Sequence, residues 1–210
     1  GVQHGFLFDA LDRLVEVQRN GLLLERYTFD PSGYRIRKAG PDGIFRYVRD
    51  DGAILQQTDD AGTTLVRYEW GGDRLVAMHP ATGQRSFSLF DGLGSLTAWS
   101  QTDGSLSLRR SFDAWGNLRH STGTTLAPFA FTGHELDAAT GLTYAKARFL
   151  DTEVGRFLSE DPILGEANTP PSLHRYLYAY GNPTFYTDPL GLYSWNEFKR
   201  DAAFAVDVYV

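Results

Sequence analysis

Apolar and polar residues alternate over short stretches through the first half of the chain. "LLLERYTFD" at 22–30 and "SLSLRRSFD" at 105–113 are examples. A period of two puts every second side chain on one face, the mark of a half-buried β-strand. A shared turn breaks the alternation at regular intervals. It reads "FDALDRL" from Phe8, "FDPSGYRI" from Phe29, "RDDGAIL" from Arg49, "WGGDRLV" from Trp70, "FDGLGSL" from Phe90 and "FDAWGNL" from Phe112. Glycine supplies a positive φ at such a reversal, and aspartate bonds its own backbone. The spacing is 20 to 22 residues, room for two strands of about six or seven residues and two turns. The pattern predicts an all-β string of stacked hairpins, each burying part of its neighbour.

The repeat stops after residue 120. In "LTYAKARFL", read as one strand, Thr143, Ala145, Ala147 and Phe149 share a face and Tyr144, Lys146 and Arg148 share the other. Aromatic residues then crowd between Pro and Gly turns in "PSLHRYLYAYGNPTFYTDPLGL". Beyond Leu192 the composition changes. Ser194 and Glu197 form a capping box, and Trp195, Phe198, Ala202 and Val206 approximate an apolar stripe, so a short C-terminal helix is expected.

Composition narrows the function. The chain is 42% hydrophobic and 14% aromatic, which is enough for a core. A net charge of −6 argues against nucleic-acid binding through phosphates. The absence of cysteine excludes disulfides, thiol nucleophiles and cysteine zinc sites. No run approaches the roughly 18 apolar residues of a membrane helix. No signal peptide opens the chain, but its first residue is Gly1, so a fragment of a longer protein is expected. Five scattered histidines show no metal-ligand spacing, and no metal or other cofactor is expected; His134 and His174 are read as packing residues. "GLGS" at 92–95 has no helix after it and does not make a phosphate loop.

Two Asp-Pro turns, "SEDPILG" with Asp161 and "TDPLGL" with Asp188, stand near the end of the chain. Such a sequence is a common β-turn, in which Asp caps and Pro fixes φ. Two carboxylates brought together are also an acid–base pair, because they do not easily both ionise. An arginine beside them orients a carboxylate through a two-point contact.

The repeats resemble YD repeats. "FDGLGSLTAW", "FDAWGNLRHSTGT", "FTGHELDAATGLTYAKARFLDTEVGRFLSEDP" and "YLYAYGNPTFYTDPLGL" are similar to the Rhs repeat-associated core domain of bacterial Rhs polymorphic toxins, which the C subunits of insecticidal toxin complexes share. The resemblance implies YD repeats over 1–120 forming part of a hollow β-shell, an aspartyl-protease-like core over 121–192 that plugs it, and the start of a variable toxin over 193–210. It implies one intramolecular cut and no repeated turnover, with Asp161 and Asp188 as catalytic acids, Arg148 as the essential arginine, and cleavage between Leu192 and Tyr193. The expected partners are the chain's own C-terminal toxin segment, an immunity protein and a secretion-machinery component, for an exported bacterial effector. "DPILG" carries one residue more than the usual Asp-Pro-x-Gly, and "EANTPPSLH" lengthens the gap to Asp188; a surface loop absorbs such length cheaply. Two other readings fit the same repeats: a binding or adhesive module in which the acids only turn the chain, and a C subunit of an insecticidal complex.

Overall fold

The computed structural model describes residues 3–165, 167–168 and 170–192. Twelve strands run consecutively as one antiparallel sheet. They are β1 (His4–Phe8), β2 (Leu14–Arg19), β3 (Leu22–Phe29), β4 (Arg35–Gly40), β5 (Gly43–Asp50) and β6 (Ala53–Thr58). β7 (Thr64–Gly71), β8 (Arg74–Pro80), β9 (Ser86–Phe90), β10 (Leu96–Gln101), β11 (Leu106–Phe112) and β12 (Leu118–Gly123) complete it. Each strand pairs with its neighbours in sequence, so the sheet is an uninterrupted meander.

The six repeated turns all join an odd strand to the following even one, so they line one end of the sheet. Four are built alike. The Oδ1 atoms of Asp9, Asp30, Asp91 and Asp113 accept the N–H four residues on at 2.8 to 3.0 Å. The third residue after the Asp takes a positive φ in each, and it is Gly33, Gly94 and Gly116 in three of them and Asp12 in the first. The units at Arg49 and Trp70 instead close through the shorter turns Asp51–Gly52 and Gly72–Asp73. A further turn of the aspartate kind, at Asp59, lies at the opposite end and is not one of the six repeated marks.

A second antiparallel sheet packs on the first. It comprises β13 (Glu135–Asp137), β14 (Leu142–Ala145), β15 (Arg148–Asp151) and β16 (Arg156–Phe157). Leu14, Val17 and Tyr27 of the large sheet bury against Leu142, Tyr144 and Phe149 of the small one. "LTYAKARFL" is therefore not a single strand. It turns at Lys146–Ala147, pairing Tyr144 with Phe149 and Ala145 with Arg148. Partners in a hairpin share a face, so Arg148 lies with Ala145 and not with Tyr144. His174 is exposed and does not pack in the core. The expected C-terminal helix lies outside the described residues.

A buried cluster of charges also joins the sheets. Arg35 of β4 is fully buried and donates to Asp137 at 2.5 Å and Glu135 at 2.9 Å. Arg49 of β5 reaches Glu135 at 2.7 Å, and Lys38 of β4 reaches Asp137 at 3.2 Å. The Arg35 guanidinium lies 4.5 Å from the Tyr144 ring centroid. Each charge is desolvated and each has an opposite partner, and the pairs bridge the two sheets. Among the described residues no helix is long and apolar enough to cross a membrane.

Candidate functional site

Arg148 opens β15 directly after the tight turn, and its guanidinium lies 3.8 Å from the ring centroid of Phe157 on β16. Packed there, it is buried and aims four bonds outward. Nε donates to Gly191 O at 2.6 Å and Nη1 to Arg175 O at 2.9 Å. Nη2 faces Asp161 Oδ2 at 2.7 Å and Asp188 Oδ2 at 3.4 Å. The three residues singled out in the sequence thus meet at one guanidinium nitrogen, each no more than 4% exposed.

Each acid is held by its own turn. Asp161 Oδ1 accepts the Ile163 N–H at 2.9 Å, and its carbonyl takes the Arg175 guanidinium at 2.6 Å. Asp188 Oδ1 accepts the Leu192 N–H at 3.1 Å. The Asp188 carbonyl accepts a bond from His134 Nε2 at 3.0 Å, which fixes the proton of the neutral imidazole on that nitrogen. Gly191 admits no other residue: its φ is +61°, and a Cβ would stand 2.1 Å from Ala145 O. The 190–192 strip is pressed so closely on the β14–β15 turn that Ala147 N–H also donates to Leu190 O at 3.1 Å.

Burial dominates the electrostatics. It pushes the Asp188 carboxyl up to about 6, against the opposing pull of Arg148. It raises Asp161 as well, although the Arg148 contact is short. Burial drives His134 down to about 4, so this ring is neutral near pH 7. Asp161 is among the groups that raise Asp188, since two neighbouring carboxylates do not easily both ionise. A cleft of about 770 Å³ opens beside them, lined by Lys146, Arg148, Glu160, Arg175 and Leu192. Tyr193, the other half of the expected scissile bond, lies outside the described residues. Neither the grip on the Gly191–Leu192 peptide nor the bond from His134 to the Asp188 carbonyl was signalled by any motif.

A hairpin meander whose face carries a small second sheet, with two aspartates converging under one arginine, defines a YD-repeat shell segment with its core. The chain belongs to the Teneurin YD-shell family, whose model matches residues 3–184, and it is an Rhs-type YD-repeat core. It is 27% identical over 197 residues to the tRNA nuclease WapA of Bacillus subtilis (strain 168), covering 90% of this chain and 8% of that protein. It is 28% identical over 226 residues to the double-stranded DNA deaminase toxin A of Burkholderia cenocepacia (strain H111), covering 89% and 15%. Among solved structures, the TcdB2-TccC3-Cdc42 structure superposes with a TM-score of 0.69 at 21% identity, over 96% of this chain and 10% of that one. The Photorhabdus luminescens Tc holotoxin pore superposes with a TM-score of 0.68 at 21% identity, over 90% and 10%. This chain spans no more than 15% of the length of any of the four.

Proposed function

We propose that this chain is the shell end and self-cleaving core, over 121–192, of an exported bacterial Rhs-type toxin, and that it cuts its own backbone once, between Leu192 and Tyr193. The observation that carries the reading is the meeting of Asp161 and Asp188 at Arg148 Nη2 while Arg148 and Asp188 also hold the Gly191–Leu192 peptide. The clamped peptide immediately precedes the proposed scissile bond. Asp161, closer to the arginine, acts as the base and takes a proton from water as its oxygen attacks the Leu192 carbonyl carbon. Asp188, with the higher proton affinity, gives its proton to the departing nitrogen of Tyr193. The C–N bond breaks, leaving a carboxyl on Leu192 and an amine on Tyr193. Because catalyst and scissile bond share one chain, the encounter is intramolecular, which is worth up to about 7 to 11 kcal/mol of barrier.

In this reading the released partner is the chain's own C-terminal toxin segment, whose activity is set by sequence beyond the core. An immunity protein and a delivery machinery are its further partners. The likeness to a nuclease of Bacillus and a toxin of Burkholderia supports the exported-toxin reading, and the Tc structures support the shell. Intact-mass analysis of purified protein tests the cleavage. A body ending at Leu192 is expected from the parent, and uncut chain from Asp161→Asn and Asp188→Asn. Equal cleavage in all three, or a cut elsewhere, overturns the reading.

A further inference from the structure

The turn at Ala130–His134 stands between the large sheet and the second acid. It is seated on two of the repeated reversals. At the one that begins with Asp91, Leu96 N–H donates to Ala130 O at 2.8 Å and Thr132 N–H donates to Ser95 Oγ at 3.1 Å. At the one that begins with Asp113, the Phe131 ring lies over Gly116, where a Cβ would stand 2.5 Å from Cδ1 of the ring. Thr132 and Gly133 both take a positive φ, +46° and +74°. For threonine that backbone is strained, and it persists only where the surroundings over-determine it. They do so here. Besides the Ser95 contact, Thr132 Oγ1 meets the Tyr178 hydroxyl at 3.2 Å, and Ala130 N–H closes the turn on His134 O at 2.7 Å. The His134 ring that emerges is 4% exposed, and its Nε2 donates to Asp188 O at 3.0 Å. That carbonyl also accepts the Gly191 N–H at 3.3 Å, so it is the joint of the turn that presents both Asp188 and the 190–192 strip.

We propose that His134 is a positioning residue of the self-cleavage site: its Nε2–H ties the Asp188 turn to the repeated turns of the large sheet, so that the second acid is aimed at Arg148 from a fixed point. The inference rests on the self-cleavage reading. The two acids are anchored in parallel ways, each by its main-chain carbonyl, Asp161 to the Arg175 guanidinium and Asp188 to the His134 ring. Asp188 has the greater need of the tie. Its Oδ1 bonds the N–H of Leu192 in its own segment, and its Oδ2 makes the longest of the four Arg148 contacts, 3.4 Å. What the place demands is a buried N–H donor of the right reach. Glutamine supplies one, whereas leucine fills space without one.

The test reads amide hydrogen exchange at Gly191 and Leu192, whose N–H groups both bond Asp188, in full-length chain kept whole by Asp161→Asn. His134→Leu is expected to speed exchange at both by about tenfold, the size of one lost hydrogen bond, while the amides of β5 to β8 keep their protection. His134→Gln returns both to within about threefold of the parent. Ser95→Ala removes only the anchor on the sheet; it speeds the same two amides and adds nothing further in the His134→Leu chain, because both substitutions cut one path. Unmoved exchange in His134→Leu, a glutamine variant as fast as the leucine one, or effects of Ser95→Ala and His134→Leu that simply add, overturns the proposal. So does loss of protection throughout the sheet in His134→Leu with Gly191 and Leu192 unmoved in Ser95→Ala. In the Asp161-containing chain, His134→Leu slows cleavage by at least about tenfold and His134→Gln recovers it, on the scale of a misplaced catalytic group; parental cleavage in His134→Leu also overturns it. A parent that never cuts refutes the self-cleavage reading alone, since exchange is measured on uncut protein.

Discussion

Asp188 accepts the backbone N–H of Leu192 through Oδ1 at 3.1 Å, while the carbonyl at the other side of the same peptide unit accepts Arg148 Nε at 2.6 Å. A carboxylate and a guanidinium thus grip one peptide group from both sides and face each other as they do so. Charge-assisted bonds of this kind are roughly twice as strong as neutral ones.

The grip depends on shape as well as charge. Arg148 serves four acceptors on three chain segments. A lysine has three donors on one nitrogen and cannot span them. Arg148→Lys is expected to slow self-cleavage by at least about 100-fold, nearly as much as Arg148→Ala, on the scale of a lost oriented contact. Time courses on denaturing gels from freshly translated protein measure it. A lysine variant that cuts at the parental rate shows that charge alone is needed.

Asp188 makes stability fall as pH rises. Its folded-state proton affinity, about 6, lies above the ordinary 3.8, so the folded chain binds the extra proton between those values and loses that advantage as pH climbs through about 6. The full effect is at most about 3 kcal/mol. Asp188→Asn has no carboxyl to ionise. From pH 4 to pH 7 the double variant Asp161→Asn/Asp188→Asn should gain about 2 to 3 kcal/mol over Asp161→Asn, both being uncut. Urea unfolding at a series of pH values measures the difference, and parallel curves count against a buried, ionising Asp188.

His134 works in the opposite sense. Its folded value of about 4 lies below the ordinary 6.5, so only the unfolded chain gains a proton across that window. Stability from this group is complete above about 6.5 and is lost as pH falls towards 4. His134→Gln keeps an N–H for the Asp188 carbonyl and has no such titration. In an Asp161→Asn background it should be less acid-sensitive than its parent by about 2 to 3 kcal/mol between pH 6.5 and pH 4. Equal acid sensitivity shows that the ring accepts its proton in the folded state.

Arg35 is predicted to matter to the whole assembly. Arg35→Met leaves Glu135 with Arg49 and Asp137 with Lys38, while both acids lose a direct contact in a dry setting. Removing one partner of a buried ion pair costs about 3 to 5 kcal/mol. Chemical denaturation should show a loss of that size. A loss below about 1 kcal/mol is the size expected of a solvated surface pair.

The large sheet was legible because each level of the sequence agreed. Alternation marked the strands, and Asp with Gly marked the reversals at Phe29, Phe90 and Phe112. The hairpin at Lys146 was hidden, since neither lysine nor alanine is a turn former and the flanking alternation runs through it without a break. Its turn is imposed by pairing with β13 and by the strip at Leu190. The charged cluster was invisible for another reason: Arg35 meets a partner 100 residues away, and no local pattern records so distant a contact. The two Asp-Pro turns could be read as turns from their residues, but their convergence on Arg148 was foreseen only through the resemblance. His174 was misplaced because an aromatic-rich neighbourhood in sequence suggested burial, whereas its own side chain faces solvent.

The strictly consecutive order of the large sheet makes the chain a timer. Every strand finds its partner in the segment synthesised just before it, so the loops to be closed are small and pairing is fast. The groups of the proposed reaction come afterwards, in the order Arg148, Asp161, Asp188. At about 5 to 20 residues per second, roughly 3 to 13 s separate the emergence of Gly123, the last residue of the sheet, from that of Asp188. The second acid is therefore delivered to a finished wall. A chain halted anywhere before Asp188 carries at most one of the two acids, and the proposed scission is withheld from an unfinished sheet by the order of translation alone.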